Sequence, residues 1–294
     1  MRLAVLGAPQ SWYISDIIRA ATASGDTVVS LPFTKLASSV LGHRASVVSV
    51  SDSTEVGLEG FDAVLVRSMP PGSLEQVVFR MDALLQLESQ GTLILNSPRS
   101  LEASIDKYVA TTRLANAGLL VPDTIACQTV EQAMLAFQRL GGDVVLKPIF
   151  GSEGRGITRI SDEAIAVRIV RSLVQTGCVF YLQRFIPHNG QDLRLFVMGD
   201  EVMGIVRRNE DDWRTNVSRG GTAEPVTVTD AMREQALTAA GALGAELAGV
   251  DFLDGRDGNR YALEVNAVPG WRALGKALNI DVAHRLLGYI RSRL

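Results

Sequence analysis

Two stretches in the last third of the chain fix much of its architecture. "DLRLFVMGDEVMGIVRR" (192–208) is a pair of alternating apolar–polar runs joined at Gly199–Asp200. "AGVDFLDGRDGNRYALEVNA" (248–267) repeats that pattern around "DGRDGN". Side chains of a strand alternate between faces, and a short glycine-bearing turn reverses the chain, so each stretch predicts a β-hairpin. The end of the molecule is therefore expected to be an antiparallel sheet. Between its two hairpins lies "DAMREQALTAAGALGAEL", which has helical spacing.

Residues 1–97 are patterned differently. "RLAVLG", "TVVSLPF", "ASVVSV" and "DAVLVRS" are apolar runs of strand length, accompanied by "SDIIRAATASG" and "LEQVVFRMDALLQLESQG", whose helical spacing ends at Gly25 and Gly91. Strands alternating with helices favour a parallel sheet. The first turn, "GAPQSW", is not G-x-G-x-x-G, so a dinucleotide-binding reading finds little support. Next, a turn at Asn96–Pro98 opens a helical stretch ending at Gly118. "EQAMLAFQRLGG" and "DEAIAVRIVRSLVQTG" are amphipathic helices, and "VFYLQRFI" is a strand. The expected class is α/β followed by α+β: an α/β unit over 1–97, a small α+β unit over 98–180, and an antiparallel unit over 181–294.

Length and charge narrow the function. A chain of 294 residues exceeds one compact core and suits two or three packed units. A net charge of −3 gives no general excess of cations for nucleic acid or an anionic membrane, so neither is expected as a partner. No apolar run reaches the ~18 residues of a bilayer span. "MRLAVLGAPQ" reads as a first strand rather than a signal peptide. The two cysteines, Cys127 and Cys178, have no metal-like spacing and read as buried thiols in a reducing cytoplasm.

The chemistry-bearing residues cluster in the second half. In "LKPIFGSEGRG" (146–156), glycines permit positive φ and bring backbone N–H groups close to a ligand, with Lys147 alongside. A polyphosphate cradle and a solvated glycine-rich hairpin both satisfy that pattern. In "RYALEVNA", alternation places Tyr261, Leu263 and Val265 on one face and Ala262, Glu264 and Asn266 on the other. Asp251 likewise interrupts an apolar run. Carboxylates and an amide on neighbouring strands are costly to bury unpaired and suit a hard divalent ion. Asp192 and Arg194 share a face with Phe196, as if lining a cleft; Arg207 ends the partner strand, and "DDWRTNVSRGG" adds Arg214, Asn216 and Arg219. His43, His188 and His284 share no motif, and no activated nucleophile is evident.

The order "SIDKYVATTRLANAGLLVPDT", "VLKPIFGSEGRGI", "LQRFIP", "GQDLRLFV", "RTNVSRGG", "GVDFL" and "LEVNAVPG" resembles the ATP-grasp carboxylate–amine ligases, in particular the RimK-like α-L-glutamate ligases, over about residues 95–294. The resemblance implies an ATP-grasp fold, two α+β subdomains gripping ATP, preceded by a parallel α/β (pre-ATP-grasp) domain. It implies that Lys107 and Lys147 contact the nucleotide phosphates, with Gly151, Ser152, Gly154 and Gly156 in the loop that closes over them. Gln183, Arg184, Phe185 and Ile186 match the hinge facing adenine, and Asp192 the ribose-side acid, with Arg194 on its face. Arg207, Arg214 and Asn216 match groups around the γ-phosphate and acyl-phosphate. Asp251, Glu264 and Asn266 match ligands of Mg²⁺ (or Mn²⁺). Two departures stand out: Gln183-Arg184 where the hinge commonly has Gln-Glu, and Trp271-Arg272-Ala273 after Pro269–Gly270 where the pattern runs Leu-Glu-Gly. Trp271 and Arg272, with Trp213 as another flat surface, would suit a flat acceptor such as a pterin; Trp271 packed in the core is the other reading.

The implied activity is ATP-dependent amide-bond formation through an acyl-phosphate, adding L-glutamate to a small-molecule or peptide acceptor and releasing ADP and phosphate. Glutathione-synthetase-like, lysine-biosynthesis and D-alanine–D-alanine ligases, a pterin-cofactor glutamate ligase and a non-catalytic ATP-binding module are the alternatives. No general base for the amine is evident, and homo-oligomerisation is left open.

Overall fold

In a computed structural model, residues 1–51, 54–151, 155–215 and 220–294 are described. Strand Arg2–Leu6 lies at the centre of the N-terminal sheet. Its residues Leu3, Ala4, Val5 and Leu6 are all fully buried, as a parallel strand covered on both faces must be. It pairs in parallel with Thr27–Leu31 on one side and Ala63–Val66 on the other, and Leu93–Leu95 extends the sheet. Helix Trp12–Ser24 covers one face through Ile14, Ile17, Ala20 and Ala21. Helix Leu74–Ser89 covers the other through Met81, Leu84 and Leu87. The "ASVVSV" run does not join this sheet. It lies in Arg44–Ser51, the middle strand of an antiparallel meander with Leu36–Leu41 and Thr54–Gly57, turned at Gly42, where φ is 61°.

The stretch after Asn96 is two helices rather than one, Pro98–Ile105 and Lys107–Asn116. Asp106 divides them: its Oδ1 accepts the N–H groups of Tyr108 at 2.9 Å and Val109 at 3.0 Å, an N-cap that restarts the helix. Leu101, Ala103, Ala110 and Leu114 bury both helices in the core beneath the C-terminal sheet. They therefore pack apart from the small sheet with which the sequence had grouped them.

That small antiparallel sheet runs, in spatial order, Thr158–Ile160, Val144–Lys147, Phe180–Arg184 and Thr124–Cys127. Strand Phe180–Arg184 is bonded inside it, so a boundary at 180/181 would cut a strand. Val144, Leu146, Phe180 and Leu182 face helices Val130–Arg139 and Glu163–Val174. Alternation turns Lys147, Tyr181 and Gln183 to the opposite face. Cys127 and Cys178 are free and half-buried, and burial pushes the Cys127 thiol up.

The C-terminal sheet has the order Thr222–Pro225, Glu201–Arg208, Gln191–Met198, Leu247–Asp254, Arg260–Asn266. One face, with Leu193, Leu195, Val250 and Phe252, is covered by helix Asp230–Leu243. The opposite face is apolar at one end, where Phe196, Met198, Met203, Ile205 and Leu247 join the core that also holds Trp271 and helix Val282–Arg293. Further along the same strands it becomes charged at Asp192, Arg194, Arg207 and Asp251. Phe196 thus belongs to the core and not to the cleft. The expected alternation in "RYALEVNA" also fails. Asp251 pairs with Glu264 but Phe252 pairs with Ala262, so Leu263 is the extra residue of a β-bulge. The bulge resets the pleat: Ala262 and Val265 share one core, whereas Tyr261 and Leu263 pack with Ile186 and Leu253. Among the described residues, no helix is long and apolar enough to cross a membrane.

Candidate active site

Lys147 ends its strand on the face turned away from the small sheet's helices, and its Nζ donates to Gln183 Oε1 at 2.6 Å. Gln183 is 2% exposed; its Nε2 donates to Thr124 Oγ1 at 2.9 Å, and Tyr181 Oη lies 2.7 Å from Thr111 Oγ1 in the same polar patch. Lys107, the first residue of its helix, donates from Nζ to the Gly151 carbonyl at 2.7 Å. Burial pushes Lys147 down to about 8; the Glu264 charge opposes this and Lys107 adds to it. Burial also lowers Lys107, against the charges of Glu264 and Asp106. Two amines from separate elements and a carboxylate of the C-terminal sheet therefore share one electrostatic neighbourhood.

Behind Glu264 lies a buried ion network. Arg207, 3% exposed, donates from Nε to Asp192 Oδ1 at 2.7 Å and through Nη2 to Asp192 Oδ2, and Nη2 also reaches Asp251 Oδ2 at 2.9 Å. Burial pulls Arg207 down, but Asp251 and Asp192 outweigh it and hold the guanidinium above its usual range. Thr215 Oγ1 adds a 2.6 Å bond to Asp192. Arg194 Nε stands 3.6 Å from Asp251 Oδ1, and both atoms are buried without a hydrogen-bond partner. Gly249 makes room for this guanidinium, since a Cβ there would lie 2.7 Å from Arg194 Nη2.

These residues fit a hard cation. Asp251 keeps a free buried oxygen, Glu264 lies directly across the ladder from it, and Gly249 pairs with Asn266. Glu264 makes no hydrogen bond or ion pair with a described residue. Asn266 Oδ1 accepts from Val268 N–H at 2.8 Å and retains a lone pair. The described residues hold no group of three or more His, Cys, Asp or Glu suited to a metal. Water and phosphate oxygens would have to complete a shell around this all-oxygen set, as they do around Mg²⁺.

Other expected site residues lie elsewhere. Arg184 is exposed and pairs with Asp123 at 3.2 Å. Its N–H and that of Phe185 are bonded to the Asp123 and Asp143 carbonyls at 2.8 and 3.0 Å. Ile186 is buried, and its N–H has no acceptor among the described residues. Phe185, His188 and Trp213, with Arg159 and Arg256, line a depression of about 260 Å³; the Arg159 guanidinium lies 3.5 Å from the Phe185 ring centre. Arg214 is held by Asp212, with Nη2 to Oδ2 at 2.6 Å, and its guanidinium makes no hydrogen bond or ion pair with Asp192 or Asp251 among the described residues. Gly151 and Gly156 have φ of 134° and 71° and flank Pro148. Ser152, Gly154, Asn216 and Arg219 lie outside the described residues.

Trp271 is 1% exposed. It packs in the core rather than offering a flat surface, with Nε1 donating to Asp16 Oδ2 at 2.9 Å. Over it lies a residue that no sequence motif marks. Arg67 is 8% exposed, with Cζ 4.4 Å from the Trp271 ring centre and 5.1 Å from that of Tyr13. Its Nε and Nη1 are buried and unpartnered. Cation–π contact contributes about 0.5–2 kcal/mol, whereas a desolvated, unpaired ion costs several.

A lysine ending a strand of the small sheet, a second lysine opening a helix, and a carboxylate–amide ladder on the C-terminal sheet make up the site of an ATP-grasp ligase. The RimK-like ATP-grasp domain profile matches residues 104–290, and the N-terminal domain of prokaryotic glutathione synthetase matches 16–102. Tetrahydromethanopterin:alpha-L-glutamate ligase of Methanosarcina acetivorans is 33% identical over 97% of each chain. A probable alpha-L-glutamate ligase of Mannheimia succiniciproducens is 31% identical over 86% of this chain and 84% of its own. The ATP-grasp ligase PsnB, complexed with a minimal precursor, shares the fold with a TM-score of 0.76 at 22% identity over 99% of each chain. The chain belongs to the RimK-like ATP-grasp family, whose members are ATP-dependent carboxylate–amine ligases.

Proposed function

We propose that the protein forms an amide bond between L-glutamate and the carboxylate of a small-molecule or peptide acceptor, with ATP as the activating substrate. The observation that carries this reading is the pair of amines held at Gln183 and at the Gly151 carbonyl, together with the Asp251–Glu264 pair of the C-terminal sheet and its free buried carboxylate oxygen. An acceptor carboxylate oxygen attacks the γ-phosphorus, the bond to the ADP oxygen breaks, and an acyl-phosphate forms. The glutamate nitrogen then attacks the acyl carbon, phosphate leaves, and the nitrogen gives up its proton.

Lys107 and Lys147 would hold phosphate oxygens while charge shifts along the chain. Asp251, Glu264 and Asn266 would hold Mg²⁺ or Mn²⁺, which when bound supplies charge neutralisation on the phosphates. Arg194, with Nε unpartnered, is the guanidinium assigned to the transferring phosphoryl group. Arg207 acts through Asp192 and Asp251 as a positioning residue, because its Nε and Nη2 are already engaged with those carboxylates. The Ile186 N–H and the Phe185 ring are assigned to adenine. Free thiols at Cys127 and Cys178 fit the cytoplasm, where we place the protein.

The test supplies ATP, Mg²⁺ and hydroxylamine with a panel of carboxylic acids, and follows ADP and hydroxamate. Tetrahydromethanopterin, the compound in the name of the 33%-identical relative, is the first acceptor to assay with L-glutamate. Acid-dependent ADP and hydroxamate are expected. A protein that binds no nucleotide, or whose ADP formation never depends on an added acid, overturns the reading.

A further inference from the structure

We propose that Arg67 is the receptor for a substrate carboxylate, at the crevice between strands Arg2–Leu6 and Ala63–Val66. This inference rests on the ligase reading and adds to it the part of the molecule that reads the amine-bearing substrate. The parallel sheet has the order Thr27–Leu31, Arg2–Leu6, Ala63–Val66, Leu93–Leu95. From Arg2–Leu6 the chain passes to Thr27–Leu31 on one side and then to Ala63–Val66 on the other, a reversal of strand order whose opening beyond the strand ends is where ligands of open α/β sheets bind. Arg67 is the residue immediately after strand Ala63–Val66, so it stands at that opening.

Its surroundings leave the guanidinium edges unused. The rings of Trp271 and Tyr13 flank it at 4.4 and 5.1 Å, but rings accept no in-plane hydrogen bonds. No guanidinium nitrogen has a partner among the described residues, and Nε and Nη1 are fully enclosed. Burial lowers the group to about 10, so it is still cationic at neutral pH. Asp16, close by, is committed elsewhere: Oδ1 takes Arg19 at 2.8 Å and Oδ2 takes Trp271 Nε1 at 2.9 Å. Tyr13 itself lies in the first turn of helix Trp12–Ser24, whose N-cap Ser11 makes no side-chain bond to the helix amides, so the positive helix end adds to the same field. Gly7 lets Ile14 and the Arg67 stem pack closely here, since a Cβ there would sit 3.0 Å from Ile14 and 3.4 Å from Arg67 Cβ.

The ligand class follows from the charge and shape. A planar guanidinium with free edges suits a carboxylate. The acid that is phosphorylated must lie against Lys107, Lys147 and Glu264, which Arg67 does not touch. The carboxylate at Arg67 is therefore a non-reacting one, carried by the amino acid whose nitrogen attacks. Trp271 follows Asn266 by five residues, which ties this receptor to the proposed cation ladder. Holding the amino acid by its carboxylate would orient its amine for attack.

The experiment titrates full-length protein, with Mg²⁺ and a non-hydrolysable ATP analogue bound, with L-glutamate, L-glutamine and the α-amide of L-glutamate. Wild type is expected to bind L-glutamate saturably and at least tenfold more tightly than one of the two amides. Arg67→Met should lose at least tenfold in glutamate affinity, abolish the discrimination against that amide, and keep nucleotide affinity within twofold. Arg67→Lys, which keeps the charge but not the planar fork, serves if the methionine variant does not fold, and the same losses are expected of it. Unchanged glutamate affinity in the variants, or equal losses for glutamate and both amides, overturns the inference. So does a wild type that binds the nucleotide but none of the three amino acids. A protein that binds glutamate through Arg67 yet never forms ADP overturns the ligase reading alone.

Discussion

Lys147 is a half-buried cation with one amide oxygen for company, and that arrangement makes stability depend on pH in a definite direction. Its amine falls from 10.5 to about 8, so between those values the folded state binds fewer protons than the unfolded chain. Stability therefore rises with pH across that window, and the unfavourable contribution is fully present below pH 8. At 1.36 kcal/mol per decade the swing is about 3 kcal/mol. Lys147→Met removes the swing but strands Gln183 Oε1, a constant loss of about 1–3 kcal/mol. Without nucleotide, the stability of wild type relative to the variant should climb by about 3 kcal/mol from pH 7 to pH 10.5 in urea titrations. A difference that stays flat would mean that Lys147 titrates normally. The same depression gives nucleotide binding a proton signature: phosphate oxygens favour the ammonium form, so at pH 8.5 binding should take up a fraction of a proton, read by calorimetry in buffers of different ionisation enthalpy.

At the scale of elements, one side chain joins the two larger sheets. Asn96, 1% exposed, donates to the carbonyls of Leu247 and Ala267 at 2.7 and 2.6 Å and accepts the N–H groups of Glu246 and Leu247, both at 2.9 Å. Asn96→Ala leaves these backbone groups unpaired and should cost about 2–4 kcal/mol. Asn116→Ala, at an exposed helix end, should stay within about 0.5 kcal/mol in the same urea titration. Elements of this kind were legible in the sequence unevenly. Hairpins turned at Gly199–Asp200 and "DGRDGN", and helices stopped by Gly25 and Gly91, announce themselves because their signals are local. The Leu263 bulge does not, since "YALEV" alternates plausibly in either pleat and only the register with Asp251 decides. Asp106 is legible in principle as an N-cap before "KYV", though it sits inside a longer helical pattern, and the Gly42–His43 turn is legible only once "LASSVL" is read as a strand. Lys107, Lys147, Asp251 and Glu264 were legible as a set because motif order placed them together. Arg67 was not, because a strand-end arginine reads as solvated until Trp271, far along the chain, closes over it.

At the scale of the whole molecule, the N-terminal and C-terminal sheets share two cores, while the small sheet has a third to itself, built from Ala133, Phe137, Val144, Leu146, Val170, Phe180 and their neighbours. A separate, smaller core should open at lower free energy than the shared ones. The Lys107–Gly151 bond at 2.7 Å is one of the links between the small sheet and the rest, and a nucleotide held by Lys107, Lys147 and the Asp251–Glu264 ladder would add another. Binding to the folded form stabilises by about 2.7 kcal/mol when ligand is at a hundred times Kd. That free energy should appear where the small core opens. Amide exchange in Val144–Lys147 and Phe180–Arg184 is expected to slow by up to about a hundredfold with a magnesium-loaded ATP analogue, by the same relation. Exchange in Arg2–Leu6, already governed by the shared cores, should change far less. Glu264→Gln should fold normally, because its carboxylate has no described partner to lose. In that variant the magnesium-dependent part of the slowing should vanish, together with ADP formation. Equal slowing in both sheets would mean that the lobes open as one unit, and full magnesium dependence in the glutamine variant would remove Glu264 from the cation site.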